Sequence, residues 1–260
     1  MKTAPPYPEG KNLLAGKTVL ITAAAGAGIG GSAAKRCLEE GAKAVYIADM
    51  HPRRTPESVE KLRELGLGQV DGGLCDVTKQ EDVDNMFQDA IQKMGHIDIV
   101  INNAGLGGSV ELHEMTDDQW MKVLDVSLNG CFRVTRAALQ HMYKRESGVI
   151  VNNASVLGWR AQKEQAHYAA AKAGVMALTR CAALEAAERN VRVNAVAPSL
   201  AMHPFLVKVT SDELLKELTD QEAFRRYAEP WEVANAMIFL ASDLSSYMTG
   251  EILSVSSQRA

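Results

Sequence analysis

The chain has 260 residues, 47% of them hydrophobic, which suits a globular protein with a substantial core arranged as one large α/β domain or two small ones. Its formal net charge of -4 gives no overall pull toward nucleic acid or a membrane surface, so a polyanion would need a local basic pocket. No apolar run approaches the ~20 residues that span a bilayer, and prolines stand in MKTAPPYPEGKN where a signal peptide would be apolar.

Residues 1–12 therefore read as an arm outside the fold. From there strand and helix patterns alternate: strand KTVLITA, helix GSAAKRCLEEG ending at Gly41, strand AVYIAD, then helix TPESVEKLRELG with Gly66 as its cap. Strand QVDGGLCDV includes Cys75. The helix after it places Val83, Met86, Phe87, Ala90 and Ile91 on one face, and IDIVINNAG is a fourth strand. A long helical region runs from Asp117 to Arg145, followed by strand GVIVNNAS, a long alanine-rich helix and strand VRVNAVAP. A polar, partly helical stretch reaches Tyr227, and helix PWEVANAMIFLASD and strand EILSVS close the chain. Short apolar strands separated by helices imply an α/β fold with a parallel sheet covered on both faces. With no linker or repeat, residues 13–260 form one domain. The cysteines Cys37, Cys75, Cys131 and Cys181 lack metal-ligand spacing and read as reduced, buried thiols of a cytoplasmic protein with no metal site.

Two stretches carry chemistry. The first strand ends in TAAAGAGIGG, where Gly26, Gly28 and Gly30 allow close backbone approach to a pyrophosphate at the start of the next helix. Position gives the cluster its meaning, since the dinucleotide fingerprint belongs at this first strand–helix junction. Asp49 ends the second strand, the place for a carboxylate that bonds an adenosine ribose, which favours NAD(H). Arg53 and Arg54 leave NADP(H) open, although they read equally as solvated charges. In the second stretch Tyr168 and Lys172 share one face of a helix, one turn apart. A fixed cation beside a phenol favours the phenolate, and such a tyrosine exchanges protons with an alcohol or carbonyl oxygen. Ser155, thirteen residues earlier at a strand end, can hold that oxygen.

Together these features resemble the short-chain dehydrogenase/reductase family over residues 14–257. The matching motifs are the glycine loop, Asp76-Val77, Asn102-Asn103-Ala104-Gly105, Ser155, Tyr168, Lys172, Asn194 and Pro198. The resemblance implies a single doubly wound Rossmann-type domain of about seven parallel strands, and a homotetramer. It implies that Gly26, Gly28, Ile29, Gly30, Asp49 and Pro198 contact the dinucleotide. Asp76 would bond the adenine amino group beside the Val77 backbone, with Asn103, Ala104 and Gly105 on the adenosine side. Tyr168 would be the acid/base, Lys172 would hold the nicotinamide ribose, and Ser155 would orient the substrate oxygen. Three departures stand out. Ala23 replaces the first glycine in a loop one residue longer than usual. Ser127 stands where the family has a catalytic asparagine, and the usual Pro-Gly is Pro198-Ser199, with His203 where a threonine often follows.

Residues 200–227 lie where the family builds its substrate lid. Trp159, Arg160, His203 and Phe205 are the candidate substrate contacts. Trp159 would offer a flat apolar wall, and Arg160 would meet a carboxylate or phosphate or else pair with Glu164. Segments such as NNASVLGWRAQ, SDLSSYMTGE and the terminal SSQRA are similar to an actinobacterial group of steroid C/D-ring reductases acting on indane-type CoA thioesters. The expected activity is thus interconversion of a secondary alcohol and a ketone on such a thioester. The rivals are a 3-oxoacyl (acetoacetyl-CoA or acyl-carrier-protein) reductase and a non-catalytic dinucleotide-binding protein.

Overall fold

The computed structural model describes residues 3–203, 206–207 and 210–257. Seven strands, β1 (Thr18–Thr22), β2 (Ala44–Asp49), β3 (Gln69–Leu74), β4 (Ile99–Asn102), β5 (Gly148–Asn153), β6 (Val191–Pro198) and β7 (Ile252–Val255), form one sheet. All pairings are parallel, in the order β3-β2-β1-β4-β5-β6-β7. The central strands are short runs of Val, Ile and Leu because both of their faces are covered. In β1, Val19 and Ile21 face one layer and Leu20 the other, as the two-residue period of a strand requires.

On one side lie α1 (Ile29–Glu39), α2 (Arg54–Arg63) and α8 (Pro230–Ala241); on the other lie α3 (Gln80–Met94), α5 (Gly130–Met142) and α6 (Ala166–Ala187). Two shorter helices are α4 (Asp117–Leu124) and α7 (Asp212–Gln221). Local chemistry sets several boundaries. Thr116 and Gln119 form a reciprocal capping box at the start of α4, and Glu229 and Glu232 do the same for α8 with Pro230 at its first turn. Gly95, at φ 84°, ends α3. The long helix expected from Asp117 is real but interrupted: α4 passes into α5 through a π turn over Asp125–Asn129, a form often found at functional positions.

Strand order reverses between β1 and β4, so the loops after them diverge and leave a crevice at the carboxyl edge of the sheet. The glycine loop, Asn103–Gly105, Ser155 and the chain after Pro198 all leave from that edge.

Several residues depart from the expectations above. The arm runs against the body at Tyr7, whose ring meets Trp231 edge-on at 5.4 Å and whose hydroxyl donates to Glu39 at 2.6 Å. Glu40, paired with Arg36 in the interior, accepts from the backbone of Lys11 and Leu13. Cys75 lies just beyond β3, and Cys181 is exposed on α6 rather than buried, because it falls on the face of that helix turned from the sheet. After β6 the segment from residue 200 leaves and returns at one place, where Met202 donates to the Ala228 carbonyl and Ala228 to that of Leu200. Ser257 closes on its far end, accepting from the Ala223 amide and donating to Glu222. Residues 258–260 of the SSQRA end lie outside the described residues. No helix among the described residues is long and apolar enough to cross a membrane.

Candidate active site

The glycine loop is shaped by contacts between backbones. Gly26 has φ 119°, open to glycine and costly for other residues. At Gly30 a Cβ would lie 2.4 Å from the Ala23 carbonyl oxygen, and at Gly31 it would lie 1.8 Å from that of Gly26. Gly28 has open space around it, so its value is as the start of α1. Gly31, unassigned from sequence, is thus the most tightly constrained glycine of the loop. Its only sequence signal was the doubled glycine of GIGG. Ala23 sits at φ 51°, left-handed despite its Cβ, a conformation that costs ~1–2 kcal/mol relative to glycine. No side chain caps α1 and its first turn holds no acidic residue, so its free N–H groups are available to an anion.

At the end of β2 the Asp49 carboxylate accepts from the Ala25 and His51 amides at 3.1 and 3.2 Å, which ties it to the glycine loop. Each oxygen keeps lone-pair capacity for a hydroxyl donor. Arg53 is exposed and its nearest carboxylate is Glu57, at 3.7 Å. Beyond β3, burial raises the Asp76 carboxyl, but bonds from the Thr78 hydroxyl and amide and the charge of Lys79 outweigh it and hold the group below its usual range. Asp76 is therefore an acceptor near neutral pH. The Val77 carbonyl accepts from Arg133, and its side chain packs where Gly130 admits it.

The motif after β4 divides into two roles. Asn102 is buried and donates to the Cys131 carbonyl and to Asn152, locking β4 to α5 and β5. Asn103 turns the other way and donates to the carbonyls of Thr22 and Ala23. The Thr22 hydroxyl accepts from the amides of Asn103 and Ala104. Asn194 and Pro198 lie in β6, where Asn194 fastens the Met248–Glu251 loop and Pro198 pairs with Val255.

Tyr168, Lys172 and Ser155 meet at this edge. Lys172 is buried, and its Nζ donates to the Asn153 carbonyl at 2.6 Å and stands 5.5 Å from the centre of the Tyr168 ring. That bond draws the end of β5 against α6. Ser155 follows two residues later, buried, with its hydroxyl accepting from Leu157 at the start of a short turn. The turn packs on α6 at Gly158, where a Cβ would strike Met176. Ser127, in the π turn, both accepts from the Leu106 amide and donates to the Leu106 carbonyl, each at 2.9 Å. These two bonds fix the loop after β4. That loop crosses the site: a Cβ at Gly105 would lie 3.3 Å from Lys172 Nζ, and one at Gly107 would lie 3.7 Å from the Tyr168 ring. Buried His167, beside Tyr168, also went unassigned. Burial lowers its basicity and favours the neutral ring.

Among the substrate candidates, Trp159 is half exposed at the end of the turn after Ser155. Arg160 follows it, and Glu164 accepts from the Ser109 hydroxyl at 2.8 Å. His203 is partly buried, burial lowers its basicity, and its Nδ1 accepts from the Leu206 amide. Phe205 lies outside the described residues.

Comparison with known proteins agrees with this architecture. The family described as Enoyl-(Acyl carrier protein) reductase matches residues 23–257. The chain is 57% identical over 259 residues, 99% of its length and 98% of the relative's, to the (5R,7aS)-5-hydroxy-7a-methyl-1-oxo-2,3,5,6,7,7a-hexahydro-1H-indene-carboxyl-CoA reductase of Mycobacterium tuberculosis. A short chain dehydrogenase from Mycobacterium smegmatis superimposes with TM-score 0.89 at 53% identity, covering 100% of this chain and 99% of that one. A 7α-hydroxysteroid dehydrogenase complexed with NADH and 7-oxo glycochenodeoxycholic acid matches with TM-score 0.89 at 31% identity, covering 95% of each chain. Its parallel sheet, its nucleotide crevice and these relatives agree: the chain belongs to the short-chain dehydrogenase/reductase family and is an oxidoreductase that uses a nicotinamide dinucleotide.

Proposed function

We propose that this enzyme interconverts a ring ketone and a secondary alcohol on a bicyclic, indane-type CoA thioester derived from a steroid. The observation that carries the chemistry is the buried Lys172 amino group, held by the Asn153 carbonyl beside Tyr168 and one strand-end from Ser155. The nicotinamide group supplies the hydride for reduction and takes it up in oxidation. Tyr168 gives the substrate oxygen its proton in reduction and removes it in oxidation. Ser155 would donate a hydrogen bond to that oxygen, and Lys172 would hold the nicotinamide ribose. Ser127 acts through the Leu106 backbone, which carries the loop over Tyr168. The substrate class rests on the 57% identity to the Mycobacterium tuberculosis reductase. The half-exposed Trp159 suits a flat ring system, Arg160 an acidic handle, and the segment that leaves β6 at residue 200 and returns at Ala228 a lid. A substrate panel followed by NADH absorbance tests this. A hydroxy- or oxo-indane CoA thioester should exceed acetoacetyl-CoA at least ~100-fold in kcat/KM, the scale of discrimination a shaped pocket provides. Equal turnover would favour the 3-oxoacyl reading.

We assign the preferred cofactor as NAD(H), because Asp49 would repel a 2′-phosphate from the end of β2. Asp49→Asn is expected to improve kcat/KM for NADPH at least ~10-fold relative to NADH, equivalent to ~1.4 kcal/mol. A native preference for NADPH would overturn that assignment and point to Arg53 or Arg54.

The enzyme works in the cytoplasm as a homotetramer in this reading. Among the described residues strand β7 pairs only with β6, which leaves its outer edge open, a liability that a second copy can cover. Exposed Phe132 and Leu184 on α5 and α6 offer a second face. Light scattering should give about four times the 28.2 kDa chain mass; a monomer at micromolar concentration would sink the assembly.

A further inference from the structure

Asn153 closes β5 and carries a hydrogen-bond acceptor that the folded chain leaves unused. The orientation of its amide follows from its neighbours. Asn103 Nδ2 donates to two backbone carbonyls, Thr22 at 3.3 Å and Ala23 at 3.1 Å, so the other end of the Asn103 amide, Oδ1, must face Asn153. That oxygen takes a hydrogen from Asn153 Nδ2 at 2.9 Å. Turning the Asn153 amide over would set two oxygens against each other, so the arrangement has one solution. Asn153 Oδ1 is then shut from solvent with no hydrogen-bond partner among the described residues. The preceding residue shows the contrast. Asn152 is buried too, yet its amide both donates to Thr179 and accepts from Asn102.

A buried acceptor without a donor is costly and rare, and it calls for a missing partner. The place of this one indicates what that partner is. The Asn153 backbone carbonyl holds Lys172 Nζ, Ser155 lies two residues on, and Asn103 ties the pair to Ala23 of the glycine loop. The amide therefore sits in the crevice where strand order reverses, between the loop for the phosphates and the residues for the reaction.

We infer that Asn153 Oδ1 accepts a hydrogen bond from a donor on the nicotinamide half of the bound dinucleotide, a ribose hydroxyl or the carboxamide N–H, which makes Asn153 a further cofactor-binding residue. The inference rests on the dinucleotide reading of the site and adds a contact specific to this chain's side chain. Its effect is to reward the cofactor twice at one residue, through the backbone carbonyl that places Lys172 and through the side-chain oxygen.

Fluorescence titration of the full-length protein with NADH, ADP-ribose and ADP tests it. Asn153→Leu keeps the branched shape of the side chain, with bulkier ends, and removes the acceptor together with the donor to Asn103. It is expected to bind NADH ~10-fold more weakly, the cost of one hydrogen bond, while ADP affinity stays within about twofold. An equal loss for ADP-ribose assigns the donor to the ribose; unchanged ADP-ribose affinity assigns it to the carboxamide. NADH affinity within twofold of the native protein would overturn the inference, as expected if only water meets the oxygen. An equal loss for NADH and ADP would overturn it too, by marking Asn153 as structural. Asn153→Ser, too short to place an oxygen there, is read in the same way should the leucine variant fail to fold. Absence of NADH binding by the native protein would instead refute the dinucleotide reading itself.

Discussion

Tyr168→Phe is expected to lower kcat by about a thousandfold, within the 10²–10⁴ range of general acid–base catalysis, while NADH affinity stays within about twofold. The substitution removes one oxygen from a ring whose position is set elsewhere. The ring lies against Gly107 and within 5.5 Å of Lys172 Nζ, and neither contact needs the hydroxyl. Only the proton is lost. In the proposed reaction the substrate oxygen gains a proton on reduction, and phenylalanine has none to give. Lys172→Ala should behave differently, weakening NADH binding as well as turnover, because the Asn153 carbonyl then loses its buried donor and the end of β5 is freed from α6. Steady-state kinetics with an NADH titration separates the two patterns. Native rates in the phenylalanine variant would remove Tyr168 from the chemistry.

Gly31→Ala should be the most damaging single-methyl change in the nucleotide crevice. Its Cβ would fall 1.8 Å from the Gly26 carbonyl oxygen and 3.3 Å from that of Ala24, and both are backbone atoms of the phosphate loop with no side-chain torsion to yield. The loop must move, and Ala25, which donates to Asp49, moves with it. Overpacking of this kind costs ~1–3 kcal/mol, which in a chain of this size lowers the melting temperature by roughly 2–12 °C. NADH affinity should fall more than ~100-fold, since each 1.4 kcal/mol lost from the cradle is tenfold. Gly28→Ala, whose added Cβ meets nothing within 4 Å beyond its own stretch of chain, should leave the melting temperature of the free protein unchanged. Equal melting temperatures for the two variants would refute this steric account.

The parts legible in the sequence were those set by local periodicity. The short apolar runs of β1 and β5, the one-sided apolar face of α3 from Val83 to Ile91, and the one-turn spacing of Tyr168 and Lys172 depend only on the sequence within each element. The alternation of strands and helices likewise implied a parallel sheet, and the glycine cluster marked the first crossover. What tertiary structure decided involves segments far apart in the chain. Strand order is one case, since periodicity does not say that β1 lies beside β4. Gly31 is another, because the need for glycine arises from where the loop doubles back onto Gly26, not from any residue pattern. Ser127 was legible only as the residue at the family's asparagine position, and the fold brings it to the Leu106 backbone, 21 residues away. The docking of Tyr7 on Trp231 and the pairing of Asn103 with Asn153 across 50 residues have the same origin. Close approach and the satisfaction of polar groups are settled by the paths of whole loops, and a linear pattern carries no record of which loops will meet.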